Sequence, residues 1–191
     1  MKYILGYETI HEFNIDLPIL TLIEEAHYLE KNTQGQYTGE KNRSNRSGFQ
    51  SYEYFYKKYK KHSLPELTDV FDHILSLVEQ NFDIRFKYSI NNYWFNINYP
   101  GSFNELHNHP SADHSTNGVS GTFYLKVPTN SGNIIFQDND EELEIESKAG
   151  KLLLFPSYLM HRVSKNNSNS ERISVAFNLE GAVIKNKREV M

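Results

Sequence analysis

Beyond residue 85 the chain alternates apolar and polar side chains in short runs, at 86–99, 120–127, 133–137, 142–146, 151–155 and 172–179. Period two is the mark of a strand with one face buried. These runs are also rich in β-branched and aromatic residues, and turn formers separate them: Pro100-Gly101, Asn130-Ser131-Gly132, Asn139-Asp140 and Ala149-Gly150. Many short strands at this spacing predict a barrel or jelly roll.

The first third has a different period. Asp16 can cap a helix whose first turn tolerates Pro18, with Ile19, Leu22, Ile23, Ala26 and Leu29 along one face. Ser63 and Glu66 stand at capping-box spacing ahead of a broad stripe of Leu67, Val70, Phe71, Ile74, Leu75 and Val78. Both stripes predict helices packed on a sheet. Residues 2–8 predict an opening strand, and the polar, glycine-containing stretch 39–51 predicts a loop. No repeat or composition shift marks a second domain. The expectation is one domain over 1–191: a helical part to residue 85, a jelly-roll core over 86–180 and a charged tail over 181–191. The fold class is mainly β with flanking helices (α+β), two N-terminal helices lying on the core.

Composition narrows the function. With 191 residues, 38% hydrophobic and 14% aromatic, the chain can bury roughly 70% of its unfolded surface. Twenty Lys and Arg against 24 Asp and Glu give a net charge of -4, which disfavours a nucleic-acid partner. No apolar run reaches the ~18 to 20 residues that cross a bilayer, and the opening Met-Lys-Tyr-Ile-Leu-Gly-Tyr-Glu turns acidic too soon for a secretory signal. The absence of cysteine excludes disulfides, zinc-thiolate sites and thiol nucleophiles. A soluble, cytoplasmic protein is expected, in host cytoplasm if phage-encoded.

Three of eight histidines carry candidate chemistry. His107 and His109 are two apart, so an extended chain projects both rings from one face. Neutral imidazoles held together suit iron, copper, nickel or zinc. His161 follows a strand that runs into Phe155-Pro156-Ser157. Arg172 opens the alternating Arg-Ile-Ser-Val-Ala-Phe-Asn, so Arg172 and Ser174 share a face. Turned inward, that arginine needs an anion, because an unpaired buried charge is costly; turned outward, it is an ordinary solvated side chain. Asp113 lies past Pro110 and off the face of His109, His114 belongs to the same polar turn, and His11, His27, His62 and His73 have no partner at ligand spacing.

This order of motifs resembles the Fe(II)- and 2-oxoglutarate-dependent oxygenases, over about residues 93–178. Tyr99-Pro100-Gly101 before the first histidine and Phe123-Tyr124-Leu125-Lys126 after the second resemble the prolyl-hydroxylase-like branch. Ser44-Asn45-Arg46-Ser47-Gly48-Phe49-Gln50-Ser51 resembles a stretch of an oxygenase subgroup common in bacteriophages and marine bacteria. The resemblance implies a double-stranded β-helix core and, as cofactors, Fe(II), 2-oxoglutarate and dioxygen. It implies metal ligation by His107, His109 and His161, with His109 where most of the superfamily has a carboxylate. It implies a co-substrate clamp at Arg172, aided by Ser174, Tyr124 and Tyr99, with Asn96 on the pocket wall. Asn45, Gly48, Gln50 and Ser51 would belong to a loop over the opening that touches substrate.

The implied activity is hydroxylation, with succinate and carbon dioxide released. A protein or peptide side chain is the expected substrate, and a small molecule the alternative. Two other readings stay open: a cupin-like three-histidine metalloenzyme without 2-oxoglutarate, and a non-catalytic jelly-roll interaction or viral structural protein.

Overall fold

The alternating runs 86–99 and 172–179 become the two longest strands of the computed structural model, which describes residues 1–32, 44–51, 65–82, 86–109 and 118–183. In chain order the elements are β1 (Lys2–Leu5), β2 (Glu8–Asn14), α1 (Ile19–Asn32), β3 (Asn45–Arg46), β4 (Phe49–Gln50) and α2 (Pro65–Asn81). There follow β5 (Phe86–Asn98), β6 (Phe103–His107), β7 (Gly118–Lys126), β8 (Ile134–Asp138), β9 (Glu141–Ile145), β10 (Lys151–Pro156), β11 (Met160–Val163) and β12 (Arg172–Val183). They form a seven-stranded sheet, ordered β1-β2-β10-β7-β12-β5-β4, and a five-stranded sheet, ordered β3-β6-β11-β8-β9. Every pairing is antiparallel. The architecture is a jelly roll with two helices on it.

The two faces of the larger sheet differ in chemistry because alternation is strict on its central strands. Ile173, Val175, Phe177 and Leu179 of β12 join Tyr93, Phe95 and Ile97 of β5 in one apolar cluster with both helices. Phe71 of α2 is the hinge of that contact, its ring 5.7 Å from Phe177 and 5.2 Å from Tyr93. Leu22, Ala26 and Leu29 bury the matching stripe of α1, whose first turn closes on the Pro18 carbonyl (3.1 Å from Leu22 N). Ser63 lies outside the described residues, so the expected capping box has no structural account. The opposite face of the sheet is polar: Ser174 pairs with Asn96 and Tyr124, Ala176 with Trp94 and Thr122, and Asn178 with Asn92 and Ser120. A smaller apolar cluster, including Ile10, Phe136, Leu153 and Phe155, packs beside that polar wall.

Among the described residues of the first 85, both expected helices stand beside four strands. The expected strand over 2–8 is a hairpin, broken at Gly6 in the left-handed region (φ 58°), and its second strand, β2, extends the larger sheet beside β10. The expected loop over 39–51 carries two strands of two residues each. β3 pairs with β6 in one sheet and β4 with β5 in the other, so this segment straps the two sheets together. It crosses at Ser47 (φ 61°) and Gly48. A Cβ on Gly48 would stand 2.5 Å from the Ile97 carbonyl and 2.5 Å from Asn45 Oδ1, so only glycine lets the strap lie this close to β5. β12 ends at Val183, and residues 184–191 of the expected tail lie outside the described residues.

Candidate active site

His107 ends β6 and His161 is the second residue of β11; the two are Cα partners in the β6–β11 ladder, just before its register shifts. His109 follows two residues later, held by its backbone N–H on the Ser157 carbonyl at 2.8 Å. The three residues offer ligand atoms that all lie within 4.8 Å of one another. Backbone carbonyls of Glu105 and Leu159 stand 2.7 Å and 2.9 Å from Nδ1 of His107 and His161. A carbonyl can only accept, so each Nδ1 carries the proton and each Nε2 keeps its lone pair. Burial lowers all three pKa values, that of His109 to about 3 with help from the His107 charge. The rings are therefore neutral donors.

Across the polar wall lies Arg172, only 2% exposed. Its Nη1 donates to the Ser131 and Gly132 carbonyls at 3.2 Å and 3.0 Å, while Nε is buried without a partner. Among the described residues no carboxylate pairs with it; burial pushes its pKa down and only Tyr124 opposes that. Ser174, Tyr124 and Asn96 form a single cross-strand row next to it. Asn96 Oδ1 is buried and unpartnered, and burial raises the Tyr124 pKa, so the phenol keeps its proton. Histidines, guanidinium and this row line one cavity of about 50 Å³. At roughly 10–15 Å³ per water centre, that is space for a few waters or one slim ligand.

Some expected site residues stand elsewhere. Tyr99 packs against the helix-side apolar cluster and does not line the cavity. Parity explains this: Asn96 and Asn98 point inward, so Ile97 and Tyr99 point outward. Asn45, Gly48, Gln50 and Ser51 belong to the strap and do not line the cavity. Asn45 donates to the Phe49 carbonyl (3.2 Å), and Ser51 exchanges bonds with the Phe95 backbone (2.9 and 3.0 Å). The segment reaches the cavity through Ser44 instead, which accepts from Asn104 at 3.1 Å. Trp94, Asn98, Thr122 and Ser120 also line the cavity. Each is two or four residues from Asn96 or Tyr124 along its strand, so period two could have found them. Asp113, His114 and His62 lie outside the described residues; His27 bonds Glu30 and Glu171, His73 is exposed, and His11 stacks beside Phe13 and Phe82.

The donor set fits an iron(II) centre, since three neutral imidazole nitrogens suit a borderline dication. The far wall fits a dicarboxylate. A buried guanidinium lacking a protein anion, beside an unpartnered Nε and two hydroxyls, is completed by a carboxylate ligand.

Comparison with known proteins agrees. Residues 136–178 match a family model described as "Putative 2OG-Fe(II) oxygenase", a stretch that includes His161, Arg172 and Ser174. A prolyl-4-hydroxylase from Pseudomonas putida superposes with a TM-score of 0.65 at 18% identity, covering 90% of this chain and 91% of that one. The viral collagen prolyl hydroxylase of Paramecium Bursaria Chlorella virus-1, solved as a 2-oxoglutarate complex, gives 0.59 at 14% identity, covering 91% and 96%. HygX from Streptomyces hygroscopicus, solved with nickel, 2-oxoglutarate and hygromycin B bound, gives 0.63 at 12% identity, covering 90% and 82%. No curated protein matches the sequence. The family match over residues 136–178 and the shared fold agree with the resemblance to the 2OG-Fe(II) oxygenases.

Proposed function

We propose that this protein is a dioxygenase in which His107, His109 and His161 hold iron and Arg172 holds the distal carboxylate of 2-oxoglutarate. Its substrate is a side chain of a protein or peptide, which it hydroxylates. The observation that carries the reading is the buried Arg172, which has no anionic partner among the described residues and opens onto the same cavity as three neutral imidazoles. A cupin-like three-histidine enzyme has no use for a carboxylate clamp at that depth. A non-catalytic jelly roll would have no reason to keep the charge buried. The likeness to two prolyl hydroxylases supports the peptide substrate.

When bound, iron with 2-oxoglutarate and dioxygen supplies oxidative decarboxylation to succinate and carbon dioxide, coupled to hydroxylation. The chain's own contribution is placement. The Glu105 and Leu159 carbonyls fix the tautomer of two ligands, so their Nε2 atoms converge without a proton to lose. Arg172 orients the co-substrate, and Ser174 and the protonated Tyr124 add hydrogen bonds to the same carboxylate. Trp94, Phe155 and Ile134 form the apolar part of the wall and keep bulk water from the reacting groups.

The test is anaerobic binding of Fe(II) and 2-oxoglutarate to wild type, His161→Ala and Arg172→Ala. Loss of metal in the first and of co-substrate alone in the second is expected. Wild-type binding by both variants refutes the assignment.

A further inference from the structure

We propose that the cavity excludes positively charged groups, so that the substrate atom presented to the metal belongs to an uncharged, hydrogen-bonding group and not to an amine or guanidine. This rests on the functional reading above and concerns the substrate class of the same site.

The argument is a charge inventory. Among the described residues that line the cavity, Arg172 is the sole charged side chain, and no aspartate or glutamate is present. Of the acids nearest to the histidines along the chain, Glu105 is exposed and bonded to Arg46, and Asp113 lies outside the described residues. In the loaded site the metal dication and the 2-oxoglutarate dianion cancel, and three neutral imidazoles cancel nothing further. The guanidinium charge is then left over. A carboxylate ligand would have neutralised it; His109 does not. In a low-dielectric hollow an uncompensated positive charge raises the local concentration of anions and lowers that of cations.

The rest of the wall suits a neutral polar guest. From Arg172 outward along β12, the cross-strand rows are Ser174–Asn96–Tyr124, Ala176–Trp94–Thr122 and Asn178–Asn92–Ser120. Hydroxyls and amides thus flank one indole, and that indole is 5.4 Å from the His109 ring. The outermost row is already knit together: Ser120 Oγ is 2.8 Å from Asn178 Oδ1 and 2.9 Å from Ser157 Oγ. Such a surface offers donors and acceptors without a counter-ion for an ammonium group.

Trp94 also provides the test. It is the chain's single tryptophan and lines the cavity, so its emission reports on an ion that enters there. Tryptophan emission is measured in the Zn(II)-loaded protein without 2-oxoglutarate, which would fill the cavity, against iodide, caesium and neutral acrylamide, each normalised to its quenching of a free tryptophan amide. Zinc is chosen because it does not itself quench. Iodide and acrylamide are expected to quench at least about threefold more effectively than caesium at equal ionic strength. The chain's net charge of -4 would favour caesium, so the expected order reports the cavity and not the surface. Caesium quenching equal to or above that of iodide overturns the proposal. Calorimetry of Zn(II) binding to wild type and His161→Ala is run alongside. Failure of zinc to bind refutes the metal reading, whereas the ion order in metal-free protein still reads the field of Arg172 and decides the charge proposal separately.

Discussion

His107 and His161 face each other as a registered pair across two neighbouring strands, with ring centroids 4.3 Å apart. Each backbone places its own ring, since each Nδ1 is bonded to a carbonyl two residues earlier. In the proposed metal site, removing either ring cuts three imidazole ligands to two. His161→Ala is therefore expected to weaken metal binding by more than about 100-fold, beyond the 10–100-fold typical of losing only a supporting residue. Anaerobic Fe(II) or Mn(II) titration checks this, and chelation of wild type should lower its melting temperature by mass action.

Arg172 predicts opposite effects on function and stability. Arg172→Met removes a buried charge that has no anionic partner among the described residues, so the metal-free protein should gain about 1–3 kcal/mol. The same change should raise the apparent dissociation constant for 2-oxoglutarate at least roughly 30-fold, the lower end of the cost of breaking a buried charged contact. Chemical denaturation and co-substrate titration on one preparation read both. A destabilised variant with unchanged co-substrate affinity would contradict the proposed clamp.

The strap predicts a packing effect with no charge in it. Gly48→Ala drives a methyl group against the Ile97 carbonyl and Asn45 side chain, each 2.5 Å away. Overpacking of this kind costs about 1–3 kcal/mol. Denaturant midpoints should show that loss, while Ser47→Ala, three atoms away along the backbone but with its own side chain replaced by a smaller one, should cost less.

His11 sets a pH dependence. Its pKa is lowered by burial first, then by the Lys2 and N-terminal charges. The unfolded chain therefore takes up a proton near pH 6.5 that the folded one resists. Stability is full above that value and falls as pH drops below it, until the lowered folded pKa is reached. His11→Phe, which keeps a ring beside Phe13 and Phe82, should flatten the part of the decline between pH 7 and 5 that belongs to this residue. Melting curves across that range decide it. An unchanged slope would show that other buried histidines carry the effect.

What could be read from the letters was the face that strict alternation defines. Ile173, Ser174 and Val175 announced both the apolar side of β12 and the polar side that holds Arg172. The failures share a cause. β6 and β11, which carry two of the three histidines, are five and four residues long, too short and too polar for periodicity to register. Tyr99 was misplaced because motif order says nothing of parity, and parity turns it away from the cavity. The 39–51 segment looked like a loop because its glycine signals a turn, whereas Gly48 serves a close backbone approach. Two-residue strands owe their existence to partners distant in sequence, which local propensity cannot see.

The strap and the opening hairpin bear on how the chain could be divided. Cutting ahead of Phe86 would spare every histidine and arginine of the cavity, yet it would strip β4 from one border of the larger sheet and β2 from beside β10. It would also uncover the apolar face that Phe71 seals. Such a fragment keeps the chemistry on paper and exposes raw sheet margins in solution, which invites self-association. The strands that line the cavity and the segments that border them therefore depend on one another, and removing the first 85 residues is expected to cost the fold.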